Sequence, residues 1–382
     1  MSLTLLSLLE PLCNLMYVYY YSLVMKGIEI LGAGLSGLTS AINLAKAGYN
    51  IDIYEKNKDV GMRFCGDIQA LENWSEKKDV LEELDEAGLV INFDCDPFSR
   101  IILTNGPRTK PMDSEKPWYY LVKRGSSLGT IDYGLKEQAL ELGAKIHFEK
   151  TIQPNEADIV ATGPVFQEVF AVAKGIVFRT HAEDIAVTVF NDKLAFRGYS
   201  YLLVTKGYGC MCTVVVADEL RRIDECLRKT HEFFEGRINL DMHFPRQVSG
   251  IGSFSLRNTF KRGKTLYVGE AAGLQDFLWG YGVRFAIRSG YFAAQSIVKN
   301  EDYETIARER FRNKLRASVV NRYLWEDVVS KKNYSIVFDI PVLFQKILHS
   351  MHRYNLLQRI IYPLALSSLK RKYPNLESLG TI

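Results

Sequence analysis

An α/β fold, with an antiparallel β-sheet lobe and a helical C-terminal region attached, is predicted by three observations. The first is a glycine turn, Gly32-Ala33-Gly34-Leu35-Ser36-Gly37, which follows the apolar run Lys26 to Leu31 and precedes a helical pattern. The second is the recurrence of short apolar runs that end in glycine, at Ala157 to Gly163 and Thr265 to Gly269. The third is a pair of stretches, Asn92 to Tyr120 and Gly175 to Val216, rich in β-branched and aromatic residues with turn punctuation. A chain that leaves a Rossmann-type core twice for β-rich insertions, and then returns, builds a second lobe over a ligand.

Each element follows from its residues. Lys26 to Leu31 reads as the first strand, about Leu38 to Ala47 as a helix stopped by Gly48, and Tyr49 to Tyr54 as an alternating strand, which together form a β-α-β unit. Within Gly134 to Glu149, Leu135, Ala139 and Leu142 share a helical face before Gly143 and the strand Ala144 to Phe148, and Asp132 stands where it would cap that helix. A further helix is expected from Val283 to Ala294. Beyond Gly290 the pattern stays helical to the end, with Arg308, Arg310, Arg312, Lys314, Arg316 and Arg322 on an early helix and bulky apolar residues from Ile336 to Leu366. The expected division is residues 25–70, 120–165 and 256–300 for the nucleotide-binding domain, 71–119 and 166–255 for the substrate lobe, and 301–382 for the helical region.

The 382 residues, 47% apolar and 24% charged, suffice for two lobes around a cleft. A surplus of only four positive charges, scattered among acids, argues against a nucleic-acid partner. The six cysteines show no CxxC spacing, which points to a reducing, cytoplasmic setting and to no metal site. Cys210 and Cys212, two apart in an apolar run, would share one strand face in the core. Residues 1–24 are apolar but broken by Glu10, Pro11 and Asn14, too broken for a spanning helix or a signal peptide. Met25 is the expected start of the folded unit, and membrane contact by residues 1–24 is the rival reading.

The three glycines of the turn divide the work of holding a pyrophosphate. Gly32 permits the bend, Gly34 lets phosphate approach backbone, and Gly37 packs helix on strand, with Ala33 and Ser36 completing the cradle. Ala41, Leu44, Gly48, Ile51 and Glu55 all fall where the extended pattern needs them. Glu55, followed by Lys56, ends the second strand, where a carboxylate accepts from ribose hydroxyls and repels a 2′-phosphate. Thr162 and Gly163 form another strand-to-glycine junction able to bring backbone against a ligand. This unit alone would hold either NAD or FAD.

The second half of the chain carries a more specific pattern. Gly269-Glu270-Ala271-Ala272-Gly273 is followed by Asp276-Phe277-Leu278-Trp279-Gly280-Tyr281-Gly282, then Val283, Ala286, Ser289-Gly290 and Ala293-Ala294. These residues resemble the GDAAG…P…GxG(I/V)xxA…SGxxAA segment of the flavoprotein family that contains geranylgeranyl reductases and aromatic-ring hydroxylases. The resemblance spans about Met25 to Lys299, is thin between Glu72 and Lys116, and implies FAD. In that family the carboxylate at position 270 bonds the ribityl chain, while Gly280, Gly282 and the helix starting at Val283 face the pyrimidine end of the flavin. Glu270 replaces the usual Asp, and Phe277 replaces the usual Pro, a change expected to loosen the loop. Arg124-Gly125 followed by Asp132 also resembles family members, in which the Arg lies along the cofactor.

Cys65-Gly66-Asp67 looks most like the geranylgeranyl-reductase branch, where a Cys-Gly pair lies near the isoalloxazine ring. Gly66 would let backbone approach the flavin, and Cys65 is a proton donor, a redox partner or a packing residue. Tyr199 and Tyr201 resemble the family's substrate-side strands, and with Trp279 they are the expected substrate contacts. The WxWxIP motif of the related halogenases is absent, and the Asp-Gly motif of hydroxylases is replaced by Ala161-Thr162-Gly163-Pro164. The implied function is reduction of carbon-carbon double bonds in a prenyl lipid. Rival readings are a flavin monooxygenase of an aromatic or lipophilic substrate, and a flavin- or lipid-binding protein without redox turnover. The implied partners are a lipophilic small molecule, an electron donor such as ferredoxin or NAD(P)H, and a membrane surface met by the apolar C-terminal region and Lys370-Arg371-Lys372. The six histidines belong to no motif, and surface or core roles are expected for them.

Overall fold

The computed structural model describes residues 27–164, 169–216, 221–254, 258–330, 334–339, 348 and 353–373. The expectations for residues 1–24, the Met25 start, and residues 340–347 and 349–352 of the C-terminal apolar run lie outside the described residues.

Parallel pairing organises the first sheet. β1 (Gly27–Leu31) runs beside β2 (Asn50–Glu55), with Ile28 opposite Ile51 and Ile30 opposite Ile53. Apolar residues at every second position bury one face of both strands. The crossover is α1 (Leu35–Lys46), a right-sized connection between parallel neighbours. β8 (Lys145–Phe148) extends the sheet on one side. On the other side β9 (Ile159–Val160), β16 (Thr265–Tyr267) and β15 (Lys261–Arg262) complete it. β1 therefore sits in the middle, and the glycine turn opens at the carboxyl edge of a central strand, where ligands of such sheets bind.

α1 is buried over Leu35 to Leu44 because a second helix, α5 (Val283–Lys299), lies against it. Small residues permit the approach. A Cβ on Gly290 would stand 2.2 Å from the Ser36 carbonyl oxygen, and the Ser40 hydroxyl donates to the Gly290 carbonyl at 3.0 Å. α3 (Ile131–Glu141) covers the other flank of α1. Its N-cap is Thr130, whose hydroxyl accepts from the Tyr133 amide. Asp132 is therefore not the cap: its carboxylate faces inward, where Arg124 claims both oxygens.

The second sheet has the order β14-β10-β13-β12-β11-β5-β6. Its long antiparallel core joins β10 (Val169–Arg179), β12 (Tyr199–Thr205), β13 (Tyr208–Val216) and β14 (His243–Ser253). The antiparallel expectation fails at one seam. β11 (Ile185–Val189) pairs in parallel with β5 (Arg100–Thr104), a strand of the earlier insertion. β5 then turns back to β6 (Thr109–Asp113). Cys210 and Cys212 lie buried on one face of β13 with sulfurs 3.7 Å apart, as the spacing predicts. A third sheet joins β3 (Ile68–Glu72), β7 (Tyr119–Lys123) and β4 (Cys95–Phe98).

Arg284, in the first turn of α5, binds this third sheet to the helices. Its buried guanidinium meets Glu83 of α2 (Val80–Glu86) at 2.7 Å and Glu72 of β3 at 3.4 Å. α4 (Ile223–Glu235) packs on β13 and β10. α6 (Tyr303–Leu324), the short α7 (Ser335–Asp339) and α8 (Leu356–Lys372) form the C-terminal layer. No described helix is long and apolar enough to cross a membrane.

Candidate functional site

The glycine turn has the geometry its sequence demands. Gly32 adopts φ +106°, and a Cβ there would stand 2.5 Å from the Ala161 carbonyl oxygen. A Cβ on Gly37 would stand 2.1 Å from the Gly32 carbonyl oxygen. At Gly34 the nearest atom would be 3.9 Å away, so the open side of the turn is at Gly34. Glu55 fixes the turn from below. Its Oε2 accepts the Ala33 amide at 3.0 Å, and its Oε1 accepts from the Asn57 backbone at 2.9 Å and side chain at 2.6 Å. Lys56 and Thr162 are exposed beside it at the strand ends.

The motif of the second half meets this turn directly. Gly269, at φ +61°, packs on Ser36, where a Cβ would lie 2.7 Å from the hydroxyl, and the Gly269 amide donates to Ser289 Oγ at 2.8 Å. Glu270 reaches across to Arg63 at 3.1 Å. Gly163, at φ +79°, borders the same pair: a Cβ would stand 3.5 Å from Arg63 Nη1 and 4.0 Å from Glu270. Four segments distant in sequence thus converge on one groove. Arg63 was missed in the sequence because it belongs to no motif; its only signal is its place two residues before Cys65.

Helix caps distinguish the two glycine motifs from the other described helices. α3, α6 and α8 are capped by the side chains of Thr130, Asp302 and Asn355. α4 lacks a cap but carries Asp224 and Glu225 in its first turn. Among the described helices of eight residues or more, only α1 and α5 begin with neither a capping side chain nor an acid. They begin at Gly34 and Gly282, the ends of the two glycine motifs, with Val283 buried behind the second. A bare helix start presents unpaired N–H groups and positive potential to a negative group.

Beside the groove, Arg124 is buried and held by Asp132 through two bonds of 2.8 Å, by Gln69 at 2.8 Å, and above Phe64 at 4.0 Å. Burial raises the Asp67 carboxyl above its ordinary value against the pull of Arg124 and Gln69. The Gly66 amide donates to the Arg124 carbonyl, and a Cβ on Gly66, at φ +90°, would stand 2.6 Å from the Tyr208 hydroxyl. Cys65 is exposed and its thiol is accessible.

Residues 30–66 match the family model of an NAD(P)-binding Rossmann-like domain. No curated protein matches the chain. Among solved structures, the chain is similar to a geranylgeranyl bacteriochlorophyll reductase-like protein from Thermoplasma acidophilum, at 18% identity and TM-score 0.66, over 93% of this chain and 100% of that one. It is also similar to a flavin-dependent brominase, at 15% identity and TM-score 0.61, over 90% and 99%. A third is 2-methyl-3-hydroxypyridine-5-carboxylic acid oxygenase, at 16% identity and TM-score 0.56, over 81% and 95%. These likenesses establish the fold: a Rossmann-type domain with a large β-sheet lobe and a helical C-terminal layer.

The expected substrate contacts lie together. The Tyr199 hydroxyl donates to the Trp279 carbonyl, and the two rings meet edge to face at 5.7 Å. Tyr201 lies 6.1 Å from Tyr199, and Trp325, Phe190 and Tyr334 extend the aromatic wall. Burial raises the hydroxyls of Tyr199, Tyr201 and Tyr281, so all three stay protonated. Trp325 and Tyr334 carried no signal in the sequence beyond being aromatic in a helical stretch. The turn carrying Trp279 is tight: the Trp279 amide donates to Asp276 Oδ2, and the Gly280 amide, at φ +75°, to the Asp276 carbonyl. Phe277 does not loosen this turn. It is buried, stacked on Phe254 at 3.6 Å and tilted on Phe170 at 4.5 Å, so packing replaces the stiffness of a proline. A larger cleft of about 450 Å³, lined by Asp96, Phe98, Arg100 and Lys206, contains none of the motif residues.

Proposed function

We propose that the chain is an FAD-dependent oxidoreductase that reduces carbon-carbon double bonds of a prenyl or similar isoprenoid lipid. The observation that carries the flavin reading is the pair of bare helix starts, at Gly34 and Gly282, on two helices packed together through Ser36, Ser40 and Gly290. The residues present fit FAD. Gly34 leaves open backbone for the pyrophosphate, Glu55 would accept from the ribose, Glu270 would accept from the ribityl hydroxyls, and the uncapped start of α5 would stabilise negative charge on the ring. When bound, the flavin supplies two-electron transfer to carbon.

The chain's own residues bind, orient and exclude water. Arg63 and Glu270 hold each other across the groove, and their ion pair keeps Glu270 extended toward Gly163. Arg124, fixed by Asp132, supports the backbone at Gly66 through the Arg124 carbonyl. Tyr199, Tyr201 and Trp279 give an apolar wall suited to an isoprenoid chain. The exposed Cys65 thiol is the candidate to hold the proton for the reduced carbon, and ferredoxin or NAD(P)H is the proposed donor class. α8 exposes Leu356, Leu357, Ile360 and Leu364 and ends in Lys370, Arg371 and Lys372, which supports contact with an anionic membrane surface by a cytoplasmic protein.

The test is anaerobic. The FAD-loaded protein is reduced and mixed with polyprenyl lipids, and the expected result is flavin reoxidation with a substrate mass gain of two hydrogens. Reoxidation by oxygen alone, with oxygen incorporated into a lipophilic substrate, would establish the monooxygenase reading instead.

A further inference from the structure

Arg322, on α6, is only 2% exposed, yet its Nη2 has no hydrogen-bond partner. Nε donates to Glu326 at 2.6 Å, and the guanidinium lies over Phe170 at 5.4 Å. Glu326 is not reserved for it. The same carboxylate accepts the Tyr373 hydroxyl at 2.7 Å and meets Lys372 at 3.2 Å, and Lys372 meets Asp327 at 2.7 Å. The counter-charge to Arg322 is therefore divided among three donors.

Arg322 lines a cavity of about 40 Å³ beside the turn that follows the second glycine motif, together with Phe170, Tyr199, Val216, Phe254 and Trp279. A second wall residue repeats the anomaly: Trp279 Nε1 is also buried without an acceptor. Two residues that each carry an orphaned buried donor thus line one cavity, and most of its other walls are aromatic or aliphatic. Of its remaining polar walls, Asp276 gives Oδ2 to the Trp279 amide, and Gln275 donates to the Gly280 carbonyl. An acceptor-only group would satisfy both donors and bring no hydrogens of its own, with Asp276, the one carboxylate on the wall, engaged by the Trp279 amide. At about 10–15 Å³ for a water-sized occupant, the space suits about three heavy atoms, the size of a carboxylate and too small for a phosphate.

We propose that this cavity is an anion subsite that takes the carboxylate of a lipophilic acid. The proposal deepens the reading above and rests on it for the apolar wall of Tyr199 and Trp279 that would carry the chain. A free small anion offers the same chemistry, so the test separates the two sources.

Octanoate, octanol and acetate are titrated into the full chain at constant ionic strength, with tryptophan emission and melting temperature as readouts. Octanoate is expected to saturate at least tenfold below acetate, and octanol to give no saturable change. Arg322→Met should weaken octanoate at least tenfold. Glu326→Gln should tighten it, because the competing charge is removed while an acceptor for Nε remains. Equal affinity for acetate and octanoate, both lost in R322M, would support the subsite with a free anion as its occupant. Octanoate and octanol acting alike in wild type and R322M, or no saturable change with any probe, would overturn it. The titrations need no flavin, so a chain that binds octanoate through Arg322 but fails to bind FAD would remove the flavin reading and leave the subsite.

Discussion

Replacing Gly34 with alanine separates the binding role of the glycine turn from its folding role. Gly34 has φ −81° and ψ 178°, a backbone conformation that alanine adopts freely, and the new methyl would find nothing nearer than 3.9 Å. The stability of the flavin-free protein should stay within about 0.5 kcal/mol of wild type, as for a substitution that meets no packed neighbour. Binding should suffer, because the methyl fills the approach to the N–H groups at the start of α1. Moving a phosphate outward by about 1 Å takes its hydrogen bonds past the limit near 3.5 Å. Two charge-assisted bonds at about 1.5–3 kcal/mol each make the loss at least about a hundredfold in FAD affinity. Gly37→Ala is the control. Its Cβ would lie 2.1 Å from the Gly32 carbonyl oxygen, so it should destabilise the protein by about 1–3 kcal/mol with or without flavin. Thermal melts and fluorescence titration with FAD measure both effects. G34A protein that binds FAD like wild type, or melts lower without it, would refute the assignment.

Three further outcomes follow from the charges. Asp132→Asn should cost about 3–5 kcal/mol in chemical denaturation, because it leaves the Arg124 guanidinium buried without its counter-ion; a loss below about 1 kcal/mol would mean that Gln69 and water suffice. Although burial alone would raise it, Glu76 is held down at about 2 by Lys314 and Arg288, so its contribution is present above its ordinary value of 4.5 and lost as pH falls through about 2. Glu76→Gln should therefore lower the melting temperature at pH 7 and leave it unchanged at pH 2. Asp67 has the opposite sign: a carboxyl raised by burial penalises the folded state above its ordinary value of 3.8. Asp67→Asn should stabilise the protein at neutral pH, with the gain vanishing below about pH 4; destabilisation at neutral pH would show that Arg124 needs the charge.

The parts legible in the sequence are those that short-range rules determine. The turn at Gly32 to Gly37 and the glycine at 269 are visible because backbone conformation and close approach admit few other residues. The helix boundaries moved: the first helix begins at Leu35 rather than Leu38, because Leu35 to Gly37 already turn helically at the uncapped start. The cap at Thr130 was misassigned to Asp132 because both residue types cap helices, and only the buried Arg124 distinguishes them. The parallel seam between residues 100–104 and 185–189 was hidden because a strand's own residues do not name its partner. Arg63, Arg284 and Arg322 were illegible as site or scaffold residues for the same reason. Each acquires its role from carboxylates or cavities 4 to 212 positions away.

In the proposed reading the chain holds FAD through its adenosine and pyrophosphate. Calorimetric titration of the flavin-free chain with FAD, FMN and NAD+ tests it most directly. FAD should bind one to one. FMN should bind at least about a hundredfold more weakly, because it lacks the pyrophosphate and ribose that Gly34 and Glu55 would hold. NAD+ should also bind weakly, because nothing in it answers the bare start of α5 at Gly282. Equal affinity for FMN and FAD, or preference for NAD+, would overturn the flavin reading.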